Sequence, residues 1–146
     1  MGDARHAWYR MLQLSRAALR ELDRRLDDEH RISVSEFDVL VTLDNAPDAR
    51  LRMTDLAEAV MFSSGGLTRL IGRLEQRGLV HREPDPSDAR GSLAGLTQDG
   101  MRRIAEARVT HDAVIDEVIG APLTPSRAAT FARTLDQLAS ARSSVE

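Results

Sequence analysis

Apolar residues recur along most of this chain three or four positions apart, the spacing of helices that bury one face; one stretch alone breaks that rhythm into short strand-like runs. From Ala7 to about Asp28, the residues Trp8, Met11, Leu12, Ser15, Leu19, Leu22 and Leu26 keep helical spacing, with arginines and acids on the other faces. This predicts one long amphipathic helix whose stripe needs a partner surface. His30 to Val34 reads as a turn. Ser35-Glu36-Phe37-Asp38 has capping-box spacing, so a helix is expected from there to about Asn45, buried through Phe37, Leu40, Val41 and Leu43 and stopped by Pro47. Leu51-Arg52-Met53 suits a short strand leading to Thr54. Thr54 is the expected cap of a helix with Leu56, Ala57 and Val60 inward and Asp55 in its first turn.

The next helix, following a turn rich in Ser and Gly and ending at Gly78, organises the rest. Leu67, Leu70, Ile71 and Leu74 fall at i, i+3, i+4 and i+7, so they share a stripe that must be buried. At about 3.6 residues per turn the opposite face carries Gly65, Arg69, Gly72 and Gln76, flanked by Thr68 on one edge and Gly66 and Arg73 on the other. Glycines there let a partner surface approach the backbone, while Arg and Gln reach base edges or phosphates. That combination suits a helix lying in a major groove. Ser63 or Ser64 can cap the helix, and the free N–H groups of Gly65 and Gly66 with the helix dipole favour a phosphate. Two short strands follow, Leu79 to Glu83 and Gly91 to Leu96, around a Pro84–Arg90 tip of turn residues. Gly91, Ala94 and Gly95 have low strand propensity, which predicts a wing that is mobile until DNA is bound. Arg90, on a protruding turn, suits a narrow groove of negative potential.

Thr97 is the expected cap of a helix running to about Ile119 and stopping at Gly120-Ala121-Pro122. Met101, Ile104, Ala105, Ile115 and Ile119 share a side, but Arg108, His111 and Asp112 interrupt it. Thr124-Pro125 opens a last helix with Ala128, Phe131, Leu135 and Leu138 as its buried face, fraying from Ser143.

The run Ser64-Gly-Gly-Leu-Thr-Arg-Leu-Ile-Gly-Arg-Leu-Glu-Gln-Arg-Gly-Leu-Val80, then Asp85-Pro86-Ser87-Asp88-Ala89-Arg90 and Leu96-Thr97-Gln98-Asp99-Gly100, resembles in order and spacing the winged helix-turn-helix of the MarR family of bacterial transcription regulators. The resemblance covers nearly the whole chain and implies a mainly α fold with a small β-wing. It divides residues 1–146 into a winged helix-turn-helix region at 35–97 and dimerisation helices at 1–34 and 98–146. It makes Arg90 the wing residue that enters the minor groove and Asp88 the acid that orients the tip. Thr68 and Arg69 would then contact bases, with Gln76 beside them, and Arg73, Arg77 and the Ser63-Ser64 cap would hold phosphates. It also implies a ligand cavity between the dimer helices and each winged domain, with Trp8, His30, Phe37, Arg108, His111 and Asp112 as candidate lining. An acidic aromatic effector would suit Arg108. Some relatives sense zinc, and Asp112 and Asp116 stand near His111; a salt-linked structural cluster with Arg108 is the preferred reading.

Composition changes this picture in three places. The 146 residues, 42% hydrophobic and 29% charged, fit one domain, and no apolar run or signal region appears, so a cytoplasmic location is expected. Cysteine is absent, which excludes disulfides, thiolate metal sites and sensing by cysteine oxidation, and every basic residue is arginine. A net charge of −3, with arginines and acids equal in number between Leu51 and Thr97, argues against nucleic acid unless arrangement supplies the footprint. There is no phosphate-binding loop, serine elbow or complete calcium loop, so no enzyme, cofactor or metal is expected. The expected function is homodimeric repression at a pseudo-palindromic DNA site, relieved by a small molecule. The alternative is a winged-helix dimer acting through protein contacts, as an antirepressor or adaptor.

Overall fold

The computed structural model describes residues 2–143. In chain order the elements are α1 (Gly2–His30), α2 (Val34–Asp44), a 3-10 turn (Pro47–Ala49), β1 (Arg50–Arg52), α3 (Met53–Ala59), α4 (Ser64–Gln76), β2 (Val80–Asp85), β3 (Asp88–Leu96), α5 (Gln98–Ile115), a π turn (Asp116–Gly120) and α6 (Pro125–Ser143). Two compact units result. One comprises Leu19–Thr110; the other combines the start of α1 with the chain from His111 onward. Expected fraying from Ser143 falls almost wholly outside the described residues.

The winged unit is built on one core. Leu26 from α1, Ile32, Leu40 and Leu43 from α2, Leu56 from α3, Leu67, Ile71 and Leu74 from α4, and Ile104 from α5 are buried together. The boundary between units falls within α1 and α5, from which Leu26, Ile104 and Ala107 join the winged core. The stripe on α4 is buried as its spacing requires: Leu67, Leu70, Ile71 and Leu74 are at most 3% exposed. At roughly 1.5–3 kcal/mol per side chain, that burial outweighs the ~1 kcal/mol that each glycine costs a helix interior. The helix forms despite three glycines, and its rotation about its own axis is fixed.

The sheet is antiparallel in the order β1-β3-β2. Leu51 pairs with Ala94, and Val80 with Leu96. Ala94 and Gly95 lie in the central strand, paired on both sides with Ala94 fully buried, so the strand forms despite their low local propensity.

Four local expectations shift. Helix α1 reaches His30, two residues beyond Asp28. The capping box of α2 is Ser33 with Glu36, the Ser33 hydroxyl accepting from Glu36 N at 3.1 Å and Glu36 Oε2 accepting from Ser33 N at 3.0 Å; Ser35 lies within the helix. Thr54 is not a cap, because α3 starts at Met53 straight from the strand, with Arg52 as an N-cap lacking a side-chain bond. Helix α5 ends at Ile115, where the register widens to the π turn and Ala121 N donates to Asp116 O at 2.7 Å.

The junction between wing and α5 is tight. Thr97 caps α5 through Gly100 N at 3.0 Å, and its hydroxyl donates to Gly78 O at 2.6 Å, while Thr97 N donates to Leu79 O at 3.2 Å. A Cβ at position 100 would overlap the Leu79 carbonyl oxygen. Gly100→Ala should therefore destabilise the chain by about 1–3 kcal/mol through overpacking, measured as a lowered urea midpoint; an unchanged midpoint would refute the contact.

Candidate nucleic-acid interface

Burial of the α4 stripe turns the other face outward. Arg69, Arg73 and Gln76 are exposed, as are Ser63, Ser64, Gly65 and Thr68. Ser63 caps the helix, its hydroxyl oxygen accepting from Gly66 N at 3.1 Å, which leaves the hydroxyl proton for an outside acceptor. Ser64 is the first helical residue, so its N–H and that of Gly65 are among the orphan donors of the helix start. Thr68 spends its proton on Ser64 O at 2.8 Å and presents its methyl and lone pairs. A Cβ added at Gly65 or Gly72 would meet nothing within 4 Å. Internal packing therefore does not demand these glycines, and the clearance they leave faces outward.

The wing tip is built by two aspartates. Asp85 Oδ1 accepts from Ser87 N at 2.9 Å and from the Ser87 hydroxyl at 2.7 Å, while its Oδ2 pairs with Arg52 Nε at 2.9 Å. Asp88 Oδ1 accepts from Arg90 N at 3.0 Å, holding the backbone from which Arg90 projects. The strand β3 starts at Asp88, so Arg90 stands on the strand just past the turn.

Charge is partitioned by pairing. Arg50 pairs with Glu83 at 2.9 Å, Arg52 with Asp85, Arg82 with Glu75 at 3.0 Å and Arg77 with Glu36 at 3.2 Å. Arg69, Arg73 and Arg90 pair with no acid among the described residues. A region of zero net formal charge thus keeps three unneutralised guanidinium groups, two on the outward face of α4 and one on the wing. Sequence counting could not separate these from the paired arginines, since the partners lie 7 to 41 residues away.

The MarR family model matches residues 32–92, the span holding α4, β2 and the wing tip. The structure resembles that of AbsC, a MarR family transcriptional regulator from Streptomyces coelicolor, with 28% identity, TM-score 0.87, and coverage of 99% of this chain and 97% of that one. The chain belongs to the MarR family. Sco3205, another MarR family regulator from Streptomyces coelicolor, solved in complex with DNA, is 27% identical with TM-score 0.87 over 95% of this chain and 87% of that one. The transcriptional regulator MhqR of Bacillus subtilis is 31% identical over 91 residues, covering 62% of this chain; the chain spans 61% of that relative's length.

Against this MarR framework some expected positions need correction. Arg77 does not join the outward set: as C-cap of α4 it donates to Glu36 Oε2 and to the Arg31 carbonyl, bracing the helix end against the α1–α2 corner. Phe37 is 4% exposed and packs inside the winged core. Arg108 donates to Asp44 Oδ2 and Asn45 Oδ1, both at 2.9 Å, so its carboxylate partner is Asp44 and not the His111–Asp112 pair. His111 Nδ1 lies 3.1 Å from Asp112 Oδ1. His30, largely buried, places Nε2 2.7 Å from Thr110 Oγ1, whose proton goes to Glu29 Oε2 at 2.7 Å. Trp8 is half-exposed in the other unit. Among the described residues no group of three or more potential ligands could hold a metal, and no helix is long and apolar enough to cross a membrane.

Residues that sequence reading passed over fasten the wing. Glu75 on α4 accepts from Arg82 N at 3.0 Å as well as from its guanidinium, so the wing strand is tied to α4 directly. The Arg82 side chain holds the Glu75 carboxyl below its ordinary range. The Ser87 amide and hydroxyl, with Arg52 adding its charge, do the same for Asp85. A depressed carboxylate stabilises the fold above its unfolded pKa, and that contribution disappears as pH falls through the folded value. The Ser87 amide resonance should therefore titrate with a midpoint below the ~4 of a free aspartate and should stop titrating in Asp85→Asn; a midpoint at or above 4 would refute the tip geometry.

Proposed function

We propose that this chain is a sequence-specific DNA-binding transcription regulator that works as a homodimer, repressing from a pseudo-palindromic site until a small molecule releases it. The observation that carries the reading is the unpaired set Arg69, Arg73 and Arg90, left on the outward α4 face and the wing while every other arginine of the helix-turn-helix and wing is neutralised by an acid. Arg69 and Thr68 would meet base edges, with Gln76 alongside. Arg73, Ser63, Ser64, Gly65 and Gly66 would hold phosphates, and Arg90, steadied by Asp88, would enter the minor groove. The DNA-bound Sco3205 supports this assignment.

A dimer follows from two considerations. One recognition helix reads few base pairs, and two set about 34 Å apart read a two-fold site. The terminal unit also carries an open apolar groove of about 1150 Å3, lined by Trp8, Met11, Leu14, Ile119, Phe131 and Leu138 among others. Trp8 is 55% and Leu138 59% exposed in the single chain, more apolar surface than a monomer leaves in water without a use. The expected buried face of α6 is accordingly open in one chain and would close against a second. For the effector, Arg108 and His30 remain polar candidates in the winged unit, and an acidic aromatic compound would suit Arg108.

Arg69→Ala should cost binding on the order of 1–3 kcal/mol and relax sequence preference, whereas Arg73→Ala should weaken all sequences alike and lower the salt slope by about 1 per protomer. Footprinting on DNA beside the coding region followed by salt-dependent mobility-shift titration reads both. Salt-independent binding, or no bound DNA, would favour the protein-binding alternative. Leu138→Glu should weaken the dimer at least about tenfold in sedimentation equilibrium, and a monomeric wild type would overturn the assembly.

A further inference from the structure

Within the winged unit a cleft of about 320 Å3 opens between the end of α4 and the first turns of α5, lined by Arg77, Leu79, Asp99, Arg102, Arg103 and Glu106. Its lining carries three guanidinium groups and two carboxylates, Asp99, Arg102, Arg103 and Glu106 from one stripe of α5 and Arg77 from the end of α4. Arg102 is paired with Asp99, and Arg77 with Glu36 outside the lining. Arg103 has no carboxylate partner among the described residues; its one hydrogen bond goes from Nη1 to the His30 carbonyl. Arg77 makes the matching contact with the neighbouring Arg31 carbonyl. Two arginines from different helices thus satisfy adjacent carbonyls where α1 ends and Arg31 turns to φ 56°. These bonds use a minority of each guanidinium's donors, and the rest are available to the cleft.

We propose that this cleft binds a small doubly charged anion, a phosphate ester or a dicarboxylate, through Arg102 and Arg103. Such groups match the planar fork of arginine better than a carbonyl does, because both partners are charged and the bonds pair in parallel. The bound anion competes with the His30 carbonyl for the Arg103 guanidinium. Occupancy therefore loosens the tie between the end of α1 and α5. This binding does not depend on the DNA reading, so the two can fail separately.

The test uses the full chain labelled with nitrogen-15, titrated with inorganic phosphate and separately with succinate, against sodium chloride at matched ionic strength. Saturating shifts are expected at Leu79, Gly100 and Arg103, accompanied by the Arg31 and Ile32 amides. Arg103→Gln should weaken binding roughly tenfold and Arg16→Gln, an exposed arginine on α1, should leave it unchanged. Glu106→Gln, which removes a competing carboxylate without touching the α1 carbonyls, should tighten it and serves if Arg103→Gln fails to fold. Saturation by phosphate alone assigns phosphate esters, and by succinate alone dicarboxylates. Shifts that only follow the chloride control, or affinity unaffected by Arg103→Gln and Glu106→Gln in folded protein, would overturn the proposal.

Discussion

Burial of one leucine-isoleucine stripe constrains everything else in the winged unit. Once Leu67, Leu70, Ile71 and Leu74 are inside, α4 cannot rotate, and the residues opposite them have no choice but to face out. The gain from burying four such side chains exceeds the helix cost of Gly65, Gly66 and Gly72, so the chain can keep glycines on a face that packing does not shape. Exposure of Arg69 and Arg73 is thus a by-product of hydrophobic burial, and any use made of them inherits the rigidity of the core behind.

The second constraint is electrostatic. Acids in this region act mainly on the fold: Glu36, Glu75, Glu83 and Asp85 each take an arginine and with it fasten α4 to the α1–α2 corner, α4 to the wing, β1 to β2, and the β1–α3 junction to the wing tip. Such pairs near the surface contribute modestly to stability one by one. Their larger effect is to subtract arginines from the surface. The ones left over, Arg69, Arg73 and Arg90, form a positive footprint that the net charge conceals.

The same economy of contacts reaches the end of α1. Arg77 and Arg103, from α4 and α5, both terminate on carbonyls of the α1–α2 corner. A helix end whose orphan carbonyls are held by two long, charged side chains is more easily disturbed than one closed by its own backbone, since a competing anion can take the donors. Core leucines hold α4 in place, while these two arginines set how firmly its last turn is coupled to the preceding helices.

Periodicity alone determined the order of helices and strands, the buried stripe of α4 and its outward face, because these follow from local spacing and a single apolar/polar contrast. The resemblance of the segment from Ser64 to Gly100 supplied the family and the wing. Boundaries slipped where a neighbour in space decided them: Ser33 caps α2 instead of Ser35 because Glu36 closes the box from inside, and α3 begins at Met53 because β1 feeds it without a turn. The role of each arginine was illegible for the same reason. Arg77 and Arg69 carry the same side chain at the end and middle of one helix, yet one reaches Glu36 across 41 residues of sequence and the other pairs with no acid among the described residues. Spacing along a chain encodes which face a residue occupies, but a pairing between distant charges exists only after the core has brought their elements together.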